Sequence, residues 1–173
     1  DPVFYIWKQT KKNFKWGDPS KLRIFLINVE ALSTKKGLKA CEEFLRDNRN
    51  NITVVDESTT IKNPKALRTK NILKLRSLSK MRRILTGSPV TKSPLDLYTQ
   101  CAFLDPQLLG FTSFYAFRNR YCNFEEVYVA QGETISVPTS FKNLEELEHK
   151  LKHFSYRVTT VSYTHLTLPT SYA

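Results

Sequence analysis

With 173 residues, 40% hydrophobic and 25% charged, the chain is long enough for one domain with a sizeable core and too evenly composed for wholesale disorder. Lysine plus arginine number 27 against 16 acidic residues, so the net charge of +11 points to a polyanionic partner, nucleic acid first, with a merely soluble basic protein as the plain alternative. No stretch approaches the roughly 20 apolar residues of a membrane span. Cys41, Cys101 and Cys122 form no C-x-x-C pair, which argues against a zinc or disulfide framework and reads as three buried thiols in a reducing cytosol.

The chain begins at Asp1 and its only methionine is Met81, so the N-terminus reads as cut, with no signal peptide visible. Trp7 and Trp16 fall in a cationic stretch read as an N-terminal helix. Residues 22–28, 52–56 and 83–86 are short aliphatic runs without alternation, predicted as strands covered on both faces. Helices are predicted between and after them. Residues 37–48 place Leu38, Cys41, Phe44 and Leu45 at helical spacing. Residues 64–78 follow Asn63 as N-cap with Pro64 in first position, and 94–104 follow Ser93 with Asp96 completing a near capping box. Strands alternating with helices predict a parallel sheet with crossover helices.

After Leu104 the pattern changes. Residues 111–122 read as a short aromatic helix whose Phe111, Phe114, Tyr115 and Phe117 face a core, base stacking being the alternative. Strands 126–130 and 133–137 flank Gln131-Gly132 as a hairpin, and Asn143 with Glu146 opens a helix over 144–153. His149 and His153 have metal-ligand spacing but lack a third ligand, so a solvated helix face is the reading. The last thirteen residues carry no charge, against 43 charged residues in the 160 before them. The string at 162–170, SYTHLTLPT, resembles translated sequencing-adapter read-through. Residues 161–173 are therefore set aside as a non-native tail, a genuine C-terminal strand being the alternative.

Three features carry chemistry. The 52–56 run ends in adjacent carboxylates, Asp56 and Glu57, and ligands of open α/β sheets bind at the carboxyl ends of strands. Such a pair suits hydrolysis of a nucleoside triphosphate, the Asp holding magnesium through water and the Glu deprotonating the attacking water. A strand ending in a polar turn is the simpler account. Second, the 83–86 run ends in Thr86, Gly87, Ser88 and Pro89, a small hydroxyl-bearing turn. Third, no Asp or Glu occurs from Ser58 to Leu95, while Lys62, Lys65, Arg68, Lys70, Lys74, Arg76, Lys80, Arg82, Arg83 and Lys92 do, a field suited to phosphates or a solvated cationic face.

Together, Val55-Asp56-Glu57-Ser58-Thr59, Ile61-Lys62-Asn63, Leu85-Thr86-Gly87-Ser88-Pro89, Leu95-Asp96-Leu97-Tyr98 and Phe103-Leu104-Asp105-Pro106 resemble the Snf-type ATPases of helicase superfamily 2. The likeness runs from about residue 22 to 160, with Leu26-Ile27-Asn28-Val29-Glu30 similar to the strand near motif Ib. Asn143-Leu144-Glu145-Glu146-Leu147 and Phe154-Ser155-Tyr156-Arg157-Val158-Thr159 are similar to the close of the first lobe. The resemblance implies an incomplete RecA-like (P-loop NTPase type) α/β domain over 1–160, with a small hairpin and helix extension. It implies ATP and Mg2+ as cofactors. Asp56 would be the metal carboxylate of motif II and Glu57 the catalytic base. Thr86, Gly87 and Ser88 of motif III would couple nucleotide state to DNA.

Lys62, Arg68, Lys70, Lys74 and Arg76 are the candidates for contact with double-stranded DNA. A second RecA-like lobe with an arginine finger is expected after the tail, and motif I before Asp1, because Gly17, Gly37, Gly87, Gly110 and Gly132 build no P-loop. The expected place is the cytoplasm of a bacterial or phage-infected cell, or the nucleus if the source is eukaryotic. Two departures stand out. Ser58 and Thr59 replace the last two residues of the Asp-Glu-Ala-His tetrad, so a hydroxyl, Thr59 by expectation, must make the contact from His to motif III. Ser88 replaces the commoner Thr. An RNA helicase of the same superfamily and a non-catalytic basic binding module are the alternative functions.

Overall fold

β1 (Val3–Ile6) pairs with β2 (Arg23–Leu26), and β3 (Ile52–Val55) with β4 (Met81–Ile84), both in parallel. The registers run from Val3 opposite Arg23 to Ile6 opposite Leu26, and from Ile52 opposite Met81 to Val55 opposite Ile84. This is a computed structural model, and it describes residues 1–7, 16–129 and 133–157. The chain divides into two units, Asp1–Lys142 and Asn143–Ala173.

β2 does not pair with β3, so the single parallel sheet expected of these runs is divided into two pairs, and of these β3 and β4 are joined by a helical crossover. Between β2 and β3 lie a 3-10 turn (Val29–Ser33) and α1 (Lys35–Asp47). Thr34 caps α1 by accepting the Gly37 N–H at 3.0 Å. Gly37 must be glycine, since a Cβ there would sit 2.2 Å from the Ala31 carbonyl oxygen. Between β3 and β4 lie a 3-10 turn (Ser58–Ile61), α2 (Leu67–Leu75) and a closing 3-10 turn (Arg76–Leu78). A further 3-10 turn (Pro94–Asp96) leads into α3 (Leu97–Leu104), and α4 (Phe114–Tyr121) follows. β5 (Cys122–Val129) and β6 (Glu133–Phe141) then form an antiparallel hairpin with a bulge between Asn123 and Phe124. In the second unit, α5 (Leu144–Lys152) is laced by the pairs Glu146–Lys150 and Glu148–Lys152, at 3.3 and 3.0 Å.

Leu32, Cys41, Leu45, Val55, Ile61, Ile72, Leu75 and Phe103 form the core, drawn from α1, β3, α2, α3 and the turns between them. Each fully buried Leu, Ile or Phe contributes about 1.5–3 kcal/mol. Buried polar groups join these elements. Asn51 donates to the Leu45, Asn48 and Leu78 carbonyls and accepts the Lys80 N–H, fastening the end of α1 to the starts of β3 and β4. Asn71 of α2 donates to the Leu32 carbonyl at 2.6 Å. All three cysteines are free and buried, and burial pushes the Cys41 and Cys101 thiols up to about 12. In α4, Phe117 and Tyr121 are wholly buried and stack with Tyr98 and Phe111, the core role expected of this segment for Phe117, whereas Tyr115, expected in the core, is exposed on the helix's other side.

Several expectations are corrected. Val3–Ile6 forms a strand that is not among those expected, because these β-branched and aromatic residues pair with β2, while residues 8–15 of the cationic stretch read as a helix lie outside the described residues. Trp16 packs on Tyr5, Phe25 and Phe44 at 5.1, 5.3 and 4.9 Å. The strands are covered on one face only. Val55 is buried, while Ile52, Val54 and Met81 are each about half exposed. Asn63 does not cap α2. Its side chain accepts the Lys65 N–H in a local turn, and the helix starts later, at Leu67. The turn at Gln131-Gly132, Val158, Thr159 and the tail 161–173 lie outside the described residues.

Candidate active site

β3 ends at Val55, and Asp56 and Glu57 follow it, both exposed. Glu57 sits in the left-handed region, at φ 47° and ψ 56°. A non-glycine residue held there costs roughly 1–2 kcal/mol and persists only where its surroundings fix it. Here they do. Asp56 Oδ1 accepts the Glu57 N–H at 2.9 Å, and the Glu57 carbonyl accepts the Thr60 N–H at 2.9 Å. The Ser58 N–H donates to the Leu85 carbonyl at 3.0 Å, and the Leu85 N–H to the Val55 carbonyl at 2.9 Å. The β3 and β4 ladders are thus stitched past their ends, with Glu57 at the bend between two fixed residues.

The same stitching brings the Thr86–Ser88 turn beside the carboxylates' strand. Ser88 N–H donates to Thr86 Oγ1 at 3.2 Å and Ser88 Oγ to the Val90 carbonyl at 2.9 Å, so the turn is closed by its own hydroxyls. The hydroxyl contact expected to this loop is not made directly; Ser58 reaches it through Gln100 of α3. Ser58 Oγ donates to Gln100 Oε1 at 2.6 Å, and Gln100 Nε2 donates to the Pro89 carbonyl at 2.8 Å. A second tie runs through Lys62, whose ammonium donates to Thr91 Oγ1 and lies 3.6 Å from Asp96 Oδ2. Asp96 does not complete a capping box with Ser93. Its Oδ2 instead accepts the Thr91 N–H, the Thr91 hydroxyl and the Lys92 N–H, at 3.0, 2.7 and 3.1 Å. Burial pushes the Asp96 carboxyl up, but these hydrogen bonds and the Lys62 charge outweigh it and hold the group below its ordinary value.

The basic residues divide by what they touch. Lys70 and Lys74 of α2 are exposed. Arg68 Nε donates to the Thr60 carbonyl at 2.8 Å, and Arg76 donates to the Ala102 carbonyl at 2.7 Å. Arg82 donates to the Leu104, Arg76 and Ser79 carbonyls. These arginines fasten α2 and β4 to their neighbours. Gln100 and Asp96 are parts of the site that sequence reasoning misses. The one signal for Gln100 is a polar residue among the apolar Leu97, Cys101 and Phe103, a pattern that its neighbour Thr99 shares.

Among the described residues, no group of three or more His, Cys, Asp and Glu side chains gathers to hold a metal. A single exposed strand-end carboxylate is nevertheless enough to suit Mg2+, which keeps several waters and takes one or two carboxylates together with substrate phosphates. Asp56 fits that role. No described helix is long and apolar enough to cross a membrane.

The family profile of the SNF2-related domain matches residues 3–171. The chain belongs to the SNF2-related domain family. These are the Snf-type ATPases of helicase superfamily 2, a family of DNA-translocating ATPases. This SNF2-related chain is 32% identical over 118 residues to the SWI/SNF-related matrix-associated actin-dependent regulator of chromatin subfamily A-like protein 1 of Drosophila melanogaster, covering 66% of the chain. It is 30% identical over 96 residues to the Caenorhabditis elegans homolog, covering 56% of the chain. The chain spans 14% of the length of each of these relatives. Among solved structures it is similar to the Sulfolobus solfataricus SWI2/SNF2 ATPase core in complex with dsDNA, with TM-score 0.50 and 26% identity. That match covers 69% of this chain and 22% of the other. The fold is RecA-like, as the family resemblance implied.

Proposed function

We propose that the chain supplies motifs II and III of the first RecA-like lobe of an ATP-dependent translocase on double-stranded DNA. The observation that carries this reading is Glu57. It is an exposed carboxylate held in the left-handed region at a strand end, and the residues flanking the Asp-Glu pair, Val55 and Ser58, are both bonded to Leu85, which leads into the turn at Thr86. In this reading Asp56 holds Mg2+ through water, and the ion when bound neutralises charge on the transferred phosphoryl group. Glu57 orients the attacking water and takes its proton. Thr86, Gly87 and Ser88 form the turn that follows the nucleotide's state. Lys70 and Lys74 are placed to meet phosphates, while Lys62, Arg68 and Arg76 combine any such contact with the internal bonds described above. A second RecA-like lobe completes the nucleotide site.

The test is the Glu57→Gln variant of the polypeptide carrying both lobes. Hydrolysis should fall by about 10²–10⁴-fold, while ATP and DNA binding persist. Turnover near the wild-type rate would remove the motif II assignment and leave a basic binding module as the better account.

A further inference from the structure

We propose that Gln100 is a positioning residue that links the Asp56–Glu57 strand end to the loop 86–92, so that a change at one is felt at the other. The proposal rests on the motif II and motif III reading given above and adds a residue to it. Gln100 lies on α3, 42 residues from Ser58 in sequence, and both side chains are fully buried. The amide has its orientation fixed by its surroundings. Nε2 faces two carbonyl oxygens, of Pro89 and Asp96, each at 2.8 Å. Only an NH2 group can satisfy both, so Oε1 must face Ser58, whose hydroxyl it accepts at 2.6 Å.

Each end of this bridge matters. Ser58 directly follows the strained Glu57, and its backbone is already pinned to Leu85, so a rotation at Glu57 moves the Ser58 hydroxyl first. Pro89 directly follows Ser88. Asp96, the other carbonyl partner, holds Thr91 and Lys92 through its carboxylate. One amide therefore touches the residue after the carboxylates, the far end of the Thr86–Ser88 turn and the anchor of the loop behind it. In a dry interior such a chain is either fully bonded or broken, which gives a link with two states rather than a graded one. An apolar residue could fill the same space on α3, whereas only a side chain with both an acceptor and two donors makes this bridge.

The test uses Gln100→Met, which keeps length and approximate volume, and Ser58→Ala, which reads the same link from its other end should the first variant not fold. In the polypeptide with both lobes, turnover at saturating double-stranded DNA should fall by about tenfold while KM for ATP is unchanged. The double variant should lose no more than either single one, as expected of two residues acting as a unit. Unchanged turnover in Gln100→Met, or losses that multiply in the double variant, overturns the proposal. Absence of hydrolysis in the unmutated polypeptide would instead count against the proposed function. The link is then judged in the 173-residue chain by hydrogen exchange. Amides of 86–92 should exchange about tenfold faster in either variant while those of β3 and α1 keep their protection, the population shift expected for a coupled pair. Equal exchange in variant and parent sinks the link.

Discussion

The Lys62 ammonium lies 3.6 Å from Asp96 Oδ2 and donates to Thr91, whose own N–H and hydroxyl reach that same carboxylate oxygen. Lys62 comes from the segment just after the Asp-Glu pair, and Thr91 from the loop just after the Thr-Gly-Ser turn. The carboxylate of Asp96 is the point where the two segments meet, and it is paired with a cation that the sequence alone assigns to DNA.

This carboxylate gives the fold an acid-sensitive clamp. Its folded-state pKa is lowered, so its stabilisation is present above the ordinary value of 3.8 and is lost as pH falls below that value, through the folded one. Denaturant midpoints should therefore drop as pH falls below 3.8, and Asp96→Asn should flatten that acid limb while lowering the midpoint at neutral pH. An acid limb as steep in Asp96→Asn as in the parent would place the acid sensitivity elsewhere.

Glu57 offers a second prediction, on strain. Replacing it by glycine removes a left-handed penalty of roughly 1–2 kcal/mol, from which glycine's greater freedom in the unfolded chain takes back about 0.4–1 kcal/mol. The net is a gain of at most about 1.6 kcal/mol, centred near ~0.8 kcal/mol, or about 2 °C in Tm for a chain of this size. Glu57→Ala keeps the strain and should show no such gain. The side chain is exposed, so neither change disturbs packing. A glycine variant no more stable than the alanine one would mean the bend at Glu57 costs nothing.

How far the sequence carries these conclusions depends on the range of the interaction. α1 and β3 are legible because their apolar patterns are local, while β4 lies at Met81–Ile84, two residues before the expected 83–86. The partners of each element are hidden. Val3–Ile6 is a strand by virtue of β2, some twenty residues on, and nothing within four residues announces that pairing. Coverage on both faces cannot be told from coverage on one, because Ile52 and Val54 are as aliphatic as Val55 yet remain half exposed. Within the site, the two carboxylates and the Thr-Gly-Ser turn are visible as types of residue at strand ends. The polar links between them are not. Ser58 to Gln100 spans 42 positions and Lys62 to Thr91 spans 29, and nothing in either segment reveals the other. The arginines show the same limit. Arg68, Arg76 and Arg82 belong to a charge-dense run, and only the fold shows that each guanidinium spends donors on backbone carbonyls.

That division among the cations leads to a third prediction. Lys70 and Lys74 are exposed on α2, so Lys70→Glu together with Lys74→Glu should leave the fold intact while weakening DNA binding. The logarithmic salt dependence should become shallower by about 0.9 for each phosphate no longer neutralised, near 2 for the pair. Far-ultraviolet circular dichroism checks the fold, and affinity titrations across salt concentrations give the slope. An unchanged slope would direct the search for the DNA-facing side away from α2. The same reversal at Arg76 would not be informative, because it also breaks the bond to the Ala102 carbonyl.

The final prediction separates the two strand-end carboxylates. They are adjacent in sequence, yet the roles proposed for them differ. Glu57→Gln keeps size and hydrogen-bonding capacity but cannot accept the water's proton, so turnover should fall by about 10²–10⁴-fold with ATP affinity retained. Asp56→Asn removes the charge that faces the metal, so affinity for ATP with Mg2+ should fall along with turnover. It has a structural consequence as well. The side-chain carbonyl of the introduced asparagine can still accept the Glu57 N–H that Asp56 Oδ1 takes at 2.9 Å, so the bend itself should survive. The two variants should therefore melt alike and differ in nucleotide binding, measured calorimetrically in the polypeptide with both lobes. Equal ATP affinity in both variants would mean that Asp56 does not face the metal, and the assignment of motif II roles along this strand end would have to be exchanged or abandoned.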